Sequence, residues 1–90
     1  MNSLAPDAPA RVAVVTGASA GIGRAIAVAL GGLGWTVGLG ARRVELLDET
    51  AKIVADAGGT ALAHPLDVTD PASIDAFCTY IHAHAGTIEV

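Results

Sequence analysis

The sequence predicts an α/β chain built around a parallel sheet, and three observations carry that prediction. Short apolar runs alternate with segments of three-to-four apolar spacing, and glycine or proline stands at the boundaries between them. The first run is β-branched without apolar–polar alternation, which suits a parallel strand buried on both faces.

Arg11-Val12-Ala13-Val14-Val15-Thr16 is that first strand, ending in glycine. From Gly21 the period changes: Ile22, Ala25, Ile26, Ala29, Leu30 and Leu33 fall on one helical face, with Gly34 as the stop. Trp35 to Ala41 is the next strand, although Gly38 and Gly40 weaken it unless something packs close to its backbone. A helix follows at once, with Val44, Leu47, Ala51, Val54 and Ala55 on one face and Glu45, Asp48, Glu49 and Lys52 on the other, ending at Gly58-Gly59. Thr60 to Leu66 is a third strand. Asp70 caps a last helix that has Pro71 in its first turn and runs to about Ala85. Ile88-Glu89-Val90 begins a fourth strand. The βαβαβα order requires right-handed crossovers, so the chain reads as the N-terminal part of a doubly wound parallel sheet with the fourth strand only begun.

With 90 residues, 52% hydrophobic and 16% charged, the chain is long enough for one globular domain, assigned to residues 11–90. Residues 1–10 carry two prolines, one acid and no base, and read as a disordered lead-in rather than a signal peptide. The uncharged run from Ala25 to Ala41 spans 17 residues and is interrupted by five glycines, so it does not read as a membrane span. A net charge of −4 provides no basic footprint for nucleic acid or an anionic membrane. Cys78 is alone, which excludes an intramolecular disulfide and fits a reducing cytoplasm. Neither it nor His64, His82 and His84 stand at metal-ligand spacing, so no metal site is assigned.

The chemistry sits where the first strand turns into the first helix. A pyrophosphate needs backbone amides at close range and the positive end of a helix dipole, and side chains obstruct that approach. In Thr16-Gly17-Ala18-Ser19-Ala20-Gly21-Ile22-Gly23, Gly17 releases the chain from the strand, Gly21 brings backbone to the phosphates, and Gly23 lets the helix pack on the sheet. Ser19 adds a hydroxyl donor. This is a dinucleotide-binding turn of the Rossmann type, but its Gly-x-x-x-Gly-x-Gly spacing departs from the general Gly-x-Gly-x-x-Gly pattern.

The turn resembles the glycine motif of the short-chain dehydrogenase/reductase family, and two further features agree. The second strand ends at Ala41, 20 residues after Gly21, where many NAD-dependent proteins hold a ribose-binding acid; here Arg42 and Arg43 follow instead. That resembles the NADP(H)-preferring members, with a guanidinium able to grip a 2′-phosphate in a two-pronged contact. Leu66-Asp67-Val68-Thr69-Asp70 resembles the family's segment after the third strand, which implies adenine recognition by Asp67 and Val68. The resemblance therefore implies a nicotinamide dinucleotide as partner, with NADP(H) preferred over NAD(H). Gly17, Ser19, Gly21, Ile22, Gly23, Arg42, Asp67 and Val68 are the cofactor-binding candidates.

No catalytic residue is assigned. The family's Asn, Ser, Tyr and Lys stand after the fourth strand, and no Tyr-x-x-x-Lys pair exists here: Tyr80 is the only tyrosine, Lys52 the only lysine, and His84 stands four after Tyr80. Tyr80 and Trp35 read as packing residues, Ser73 as helix surface, and Cys78 as a small buried group beside Ile74, Phe77 and Ile81. Other readings stand beside the site: Arg42 and Arg43 as solvated helix-start charges, Asp67 as a loop cap. Two functions follow. One is the cofactor-binding portion of an oxidoreductase that interconverts carbonyl and alcohol, not catalytic by itself. The other is a truncated nucleotide-binding remnant that associates with itself or another protein through an exposed sheet edge.

Overall fold

The computed structural model describes residues 11–90, and the lead-in expected over residues 1–10 lies outside the described residues. The elements are β1 (Val12–Thr16), α1 (Gly21–Gly32), β2 (Thr36–Ala41), a 3₁₀ turn (Val44–Leu47), α2 (Asp48–Asp56), β3 (Thr60–Pro65) and α3 (Pro71–Ala85). β2 lies between β1 and β3, both pairings are parallel, and Thr36 aligns with Val12 on one side and Thr60 on the other.

Helices cover both faces of the sheet. Val37 and Leu39 of β2 point into a core that also holds Val15, Ala18, Ala27, Leu47 and Val54, which is the side of α1 and α2. The opposite face holds Val12, Leu66, Phe77 and Ile81, the side of α3. This two-sided burial explains why the strands lack alternation, and it accounts for the glycines of β2. A Cβ on Gly38 would stand 2.8 Å from Ile81 Cδ1, and one on Gly40 would stand 3.1 Å from Phe77 Cε1. The missing side chains let α3 lie close to the sheet.

Three expectations are corrected. The stretch after β2 is not α-helical from Val44: Leu46 N–H donates to Arg43 O at 3.1 Å, and a 3₁₀ turn precedes α2. Such a turn tightens a helix start and here seats Leu47, which is fully buried. The face of α1 carrying Ile22, Ile26 and Leu33 points outward, with Ile22 80% exposed, while Ala27 and Gly31 face the core. Small residues take the inner face because α2 lies close; a Cβ on Gly31 would meet Val54 Cγ1 at 2.9 Å.

The third correction concerns Ile88-Glu89-Val90, which forms no regular strand. Glu89 N–H donates to Val12 O at 2.8 Å, and Val14 N–H donates to Val90 O at 2.7 Å. The segment thus lies along the side of β1 away from β2. Its two bonds come from neighbouring residues rather than from both groups of one residue, so no ladder rung closes. No helix among the described residues is long and apolar enough to cross a membrane.

Candidate functional site

The turn between β1 and α1 is built from backbone conformation first. Gly17 and Gly21 have φ of 63° and 60°, a region that side chains with a Cβ rarely adopt, and the chain reverses between them. Ala18 is fully buried, and its N–H reaches Gly40 O at 3.3 Å, tying the turn to β2. Ala20 precedes α1 in an extended conformation without a side-chain cap, and the first helical turn holds no acid. Helical bonding begins with Arg24 N–H to Ala20 O at 3.4 Å, so the amides of Gly21, Ile22 and Gly23 precede it. The positive end of α1 is therefore available to an anion.

Parallel strands deliver their C-terminal ends to one side of the sheet, and a cleft of about 340 Å³ opens there. It is lined by Gly17 and Ser19 after β1, by Ala41 at the end of β2 with Arg42, Arg43 and Leu46 after it, and by Leu66 and Val68 after β3. Four of the sequence candidates, Gly17, Ser19, Arg42 and Val68, thus meet at one place. Asp67 stands beside them: Arg42 Nη2 is 3.7 Å from Asp67 Oδ1. Gly21, Ile22 and Gly23 stand at the start of α1 and do not line the cleft.

The two arginines differ. Arg43 Nε donates to Glu45 Oε2 at 2.8 Å, a contact that holds the Glu45 carboxyl below the usual carboxylate range. The Arg42 side chain is 72% exposed and, among the described residues, has only the longer contact to Asp67, so its guanidinium retains donors for a ligand. Asp67 Oδ1 accepts from Thr69 Oγ1 at 2.6 Å and Thr69 N–H at 3.0 Å. Those bonds, with Arg42 further out, hold its carboxyl below the usual range, so it is ionised at neutral pH.

Residues 11–90 match the short chain dehydrogenase family. The chain belongs to that family. Among solved structures, it is similar to a metagenomic short-chain oxidoreductase in complex with NADP, at 46% identity and a TM-score of 0.84, covering 91% of this chain and 37% of the other. It is also similar to an alcohol dehydrogenase of the archaeon Thermococcus sibiricus complexed with 5-hydroxy-NADP, at 39% identity and a TM-score of 0.82, covering 88% and 34%. An uncharacterized oxidoreductase of Caenorhabditis elegans is 42% identical over 71% of this chain and 21% of its own length. A fatty acyl-CoA reductase of Acinetobacter baylyi is 38% identical over 88% and 27%. The chain thus spans between a fifth and a third of these curated relatives.

Several residues that shape this short chain dehydrogenase turn escape a linear reading. Arg24 Nη2 donates to Ser19 O at 2.7 Å and pairs with Glu49 Oε1 at 3.0 Å, while Arg24 Nε donates to Thr50 Oγ1 at 3.0 Å. Thr50 Oγ1 donates to Ala18 O at 2.8 Å. Two signals were present: Arg24 is the one charge between Arg11 and Arg42, and Thr50 holds a core position between Leu47 and Val54. Ser73 is not plain helix surface, because its Oγ accepts from Asp67 N–H at 2.8 Å and fixes the loop that carries Asp67 and Val68. Cys78 is exposed rather than buried; α3 turns Phe77 and Ile81 inward and Cys78 outward. Tyr80 packs, as expected, with its ring centroid 4.6 Å from that of His64 and 4.2 Å from that of His84.

Proposed function

We propose that this chain is the N-terminal, cofactor-binding portion of an NADP(H)-dependent short-chain oxidoreductase that interconverts carbonyl and alcohol. The observation that carries the reading is the meeting of Arg42 with Gly17, Ser19 and Val68 around one cleft at the C-terminal ends of the strands. In this reading residues 11–90 are a partial NAD(P)-binding domain of Rossmann type.

Each residue present fits a part of NADP(H). The pyrophosphate takes the turn from Gly17 to Gly23, with Ser19 as hydroxyl donor and the amides of Gly21, Ile22 and Gly23 at the helix end. Arg42 takes the 2′-phosphate, where its planar fork makes charge-assisted bonds. The adenine takes Asp67, an ionised acceptor, and Val68, which is 59% exposed at the cleft. The nicotinamide supplies the hydride chemistry when bound; these residues bind and orient. Proton transfer to the substrate is assigned to no residue of the 90, since no lysine stands four residues after Tyr80, whose ring packs against those of His64 and His84. The lone Cys78 fits a reducing, cytoplasmic setting.

Titration with NADPH and NADH tests the reading. NADPH should bind more tightly, and Arg42→Ala should weaken NADPH by about 1.5–3 kcal/mol, the worth of a charged hydrogen bond, with little change for NADH. Equal affinities in the parent chain would remove the 2′-phosphate assignment.

A second reading, association through the sheet edge, is favoured by β1, whose outer side, among the described residues, meets the irregular segment at Glu89 and Val90. The exposed Ile22, Ile26 and Leu33 of α1 add an apolar face.

A further inference from the structure

Arg24 turns its guanidinium inward, with 31% of its side chain exposed, to meet three acceptors: Ser19 O, Thr50 Oγ1 and a Glu49 carboxylate oxygen. Thr50 is fully buried, and its hydroxyl both accepts from Arg24 Nε and donates to Ala18 O. Arginine cannot accept a hydrogen bond, so the direction is determined. The guanidinium N–H occupies a hydroxyl lone pair and leaves the hydroxyl proton for Ala18 O.

A trans peptide points its carbonyl and the following amide in opposite directions. Holding Ala18 O on Thr50 therefore turns the Ser19 amide away from α2, and holding Ser19 O on Arg24 turns the Ala20 amide away from the guanidinium. We propose that Arg24 and Thr50 are positioning residues that aim the Ser19 and Ala20 amides at the pyrophosphate, so that the first turn of α2 sets the phosphate affinity of the β1–α1 turn. The identity of the anion rests on the NADP(H) reading; the bracing of the turn does not. A purely space-filling role at position 50 would be met equally by valine, which has the shape of threonine without its hydroxyl.

The full 90-residue chain serves for the test, with Thr50→Val, Thr50→Ser and Arg24→Lys, the last keeping charge without the fork. Without ligand, ¹⁵N relaxation should give Ser19 and Ala20 order parameters of about 0.85 in the parent chain and Thr50→Ser, falling to about 0.6 or lower in Thr50→Val and Arg24→Lys while β2 stays rigid. With ligand, Thr50→Val and Arg24→Lys should weaken NADPH about tenfold, the scale of one net hydrogen bond. Adenosine 2′-monophosphate, which lacks the pyrophosphate, should change by less than about twofold, since no bond of the brace reaches Arg42. Turn amides that stay rigid in both disruptive variants overturn the proposal, as does an equal loss of the two ligands. Should Thr50→Val fail to fold, Arg24→Lys decides. A parent chain that binds neither ligand removes the NADP(H) reading, and the order parameters still decide whether Arg24 and Thr50 brace the turn.

Discussion

A methyl group at Gly23 would collide with Gly17 O and stand 2.8 Å from Gly17 C, whereas one at Gly32 would meet nothing within 4 Å. The two glycines sit on the same helix, and they make opposite predictions. Gly23→Ala should destabilise the chain by roughly 1–3 kcal/mol, as overpacking against backbone does. Gly32→Ala should stabilise it by about 0.4–1 kcal/mol through the unfolded state. Urea unfolding of the pair checks this, and a Gly23→Ala variant as stable as the parent would contradict the packing argument. Gly17, Gly21 and Gly23 were legible in the sequence because what they supply, an unusual φ or an absent Cβ, belongs to the residue itself. Thr50 was not: its partners Ala18 and Arg24 lie 32 and 26 residues away, and nothing local says that a helical threonine will meet them.

At the scale of elements, α3 shows what local chemistry can decide. Asp70 precedes Pro71, and Asp70 Oδ1 accepts from Ala72 N–H at 3.0 Å. Asp70→Ala should therefore cost about 0.5–2 kcal/mol, read as a lowered midpoint in urea, and Asp70→Ser should recover most of it. No change on alanine substitution would mean that the cap bond contributes nothing. On the opposite face of the sheet, α1 shows the limit of periodicity. Ile22, Ala25, Ile26, Ala29, Leu30 and Leu33 share a face by spacing, yet the fully buried residues are Ala27 and Gly31, and of the six Leu30 packs against the core. Apolar spacing locates a helix but does not orient one that is apolar on more than one side, and proximity to α2 favours the smaller residues.

For the whole molecule, helices pack on both faces of the sheet, and β1 and β3 are its edge strands. On the β1 side, two backbone bonds from Glu89 and Val90 are the cover among the described residues. An incompletely paired edge strand is a template for another chain. Sedimentation velocity of the 90-residue chain should show species heavier than the monomer that grow with concentration, and a strict monomer from dilute to concentrated solution would end the association reading.

The sequence by itself determined the order of the elements, the place of the glycine turn, and the arginine that follows the second strand. It did so because periodicity, capping and the conformational freedom of glycine act between near neighbours along the chain. Only the tertiary structure decided which face of α1 is buried, that Arg24 and Thr50 hold the turn, and that Gly17, Ser19, Arg42 and Val68 line one cleft. Side-by-side parallel strands carry their C-terminal ends to a common edge, bringing together residues as far apart as Gly17 and Val68 through crossovers that no short window of sequence contains.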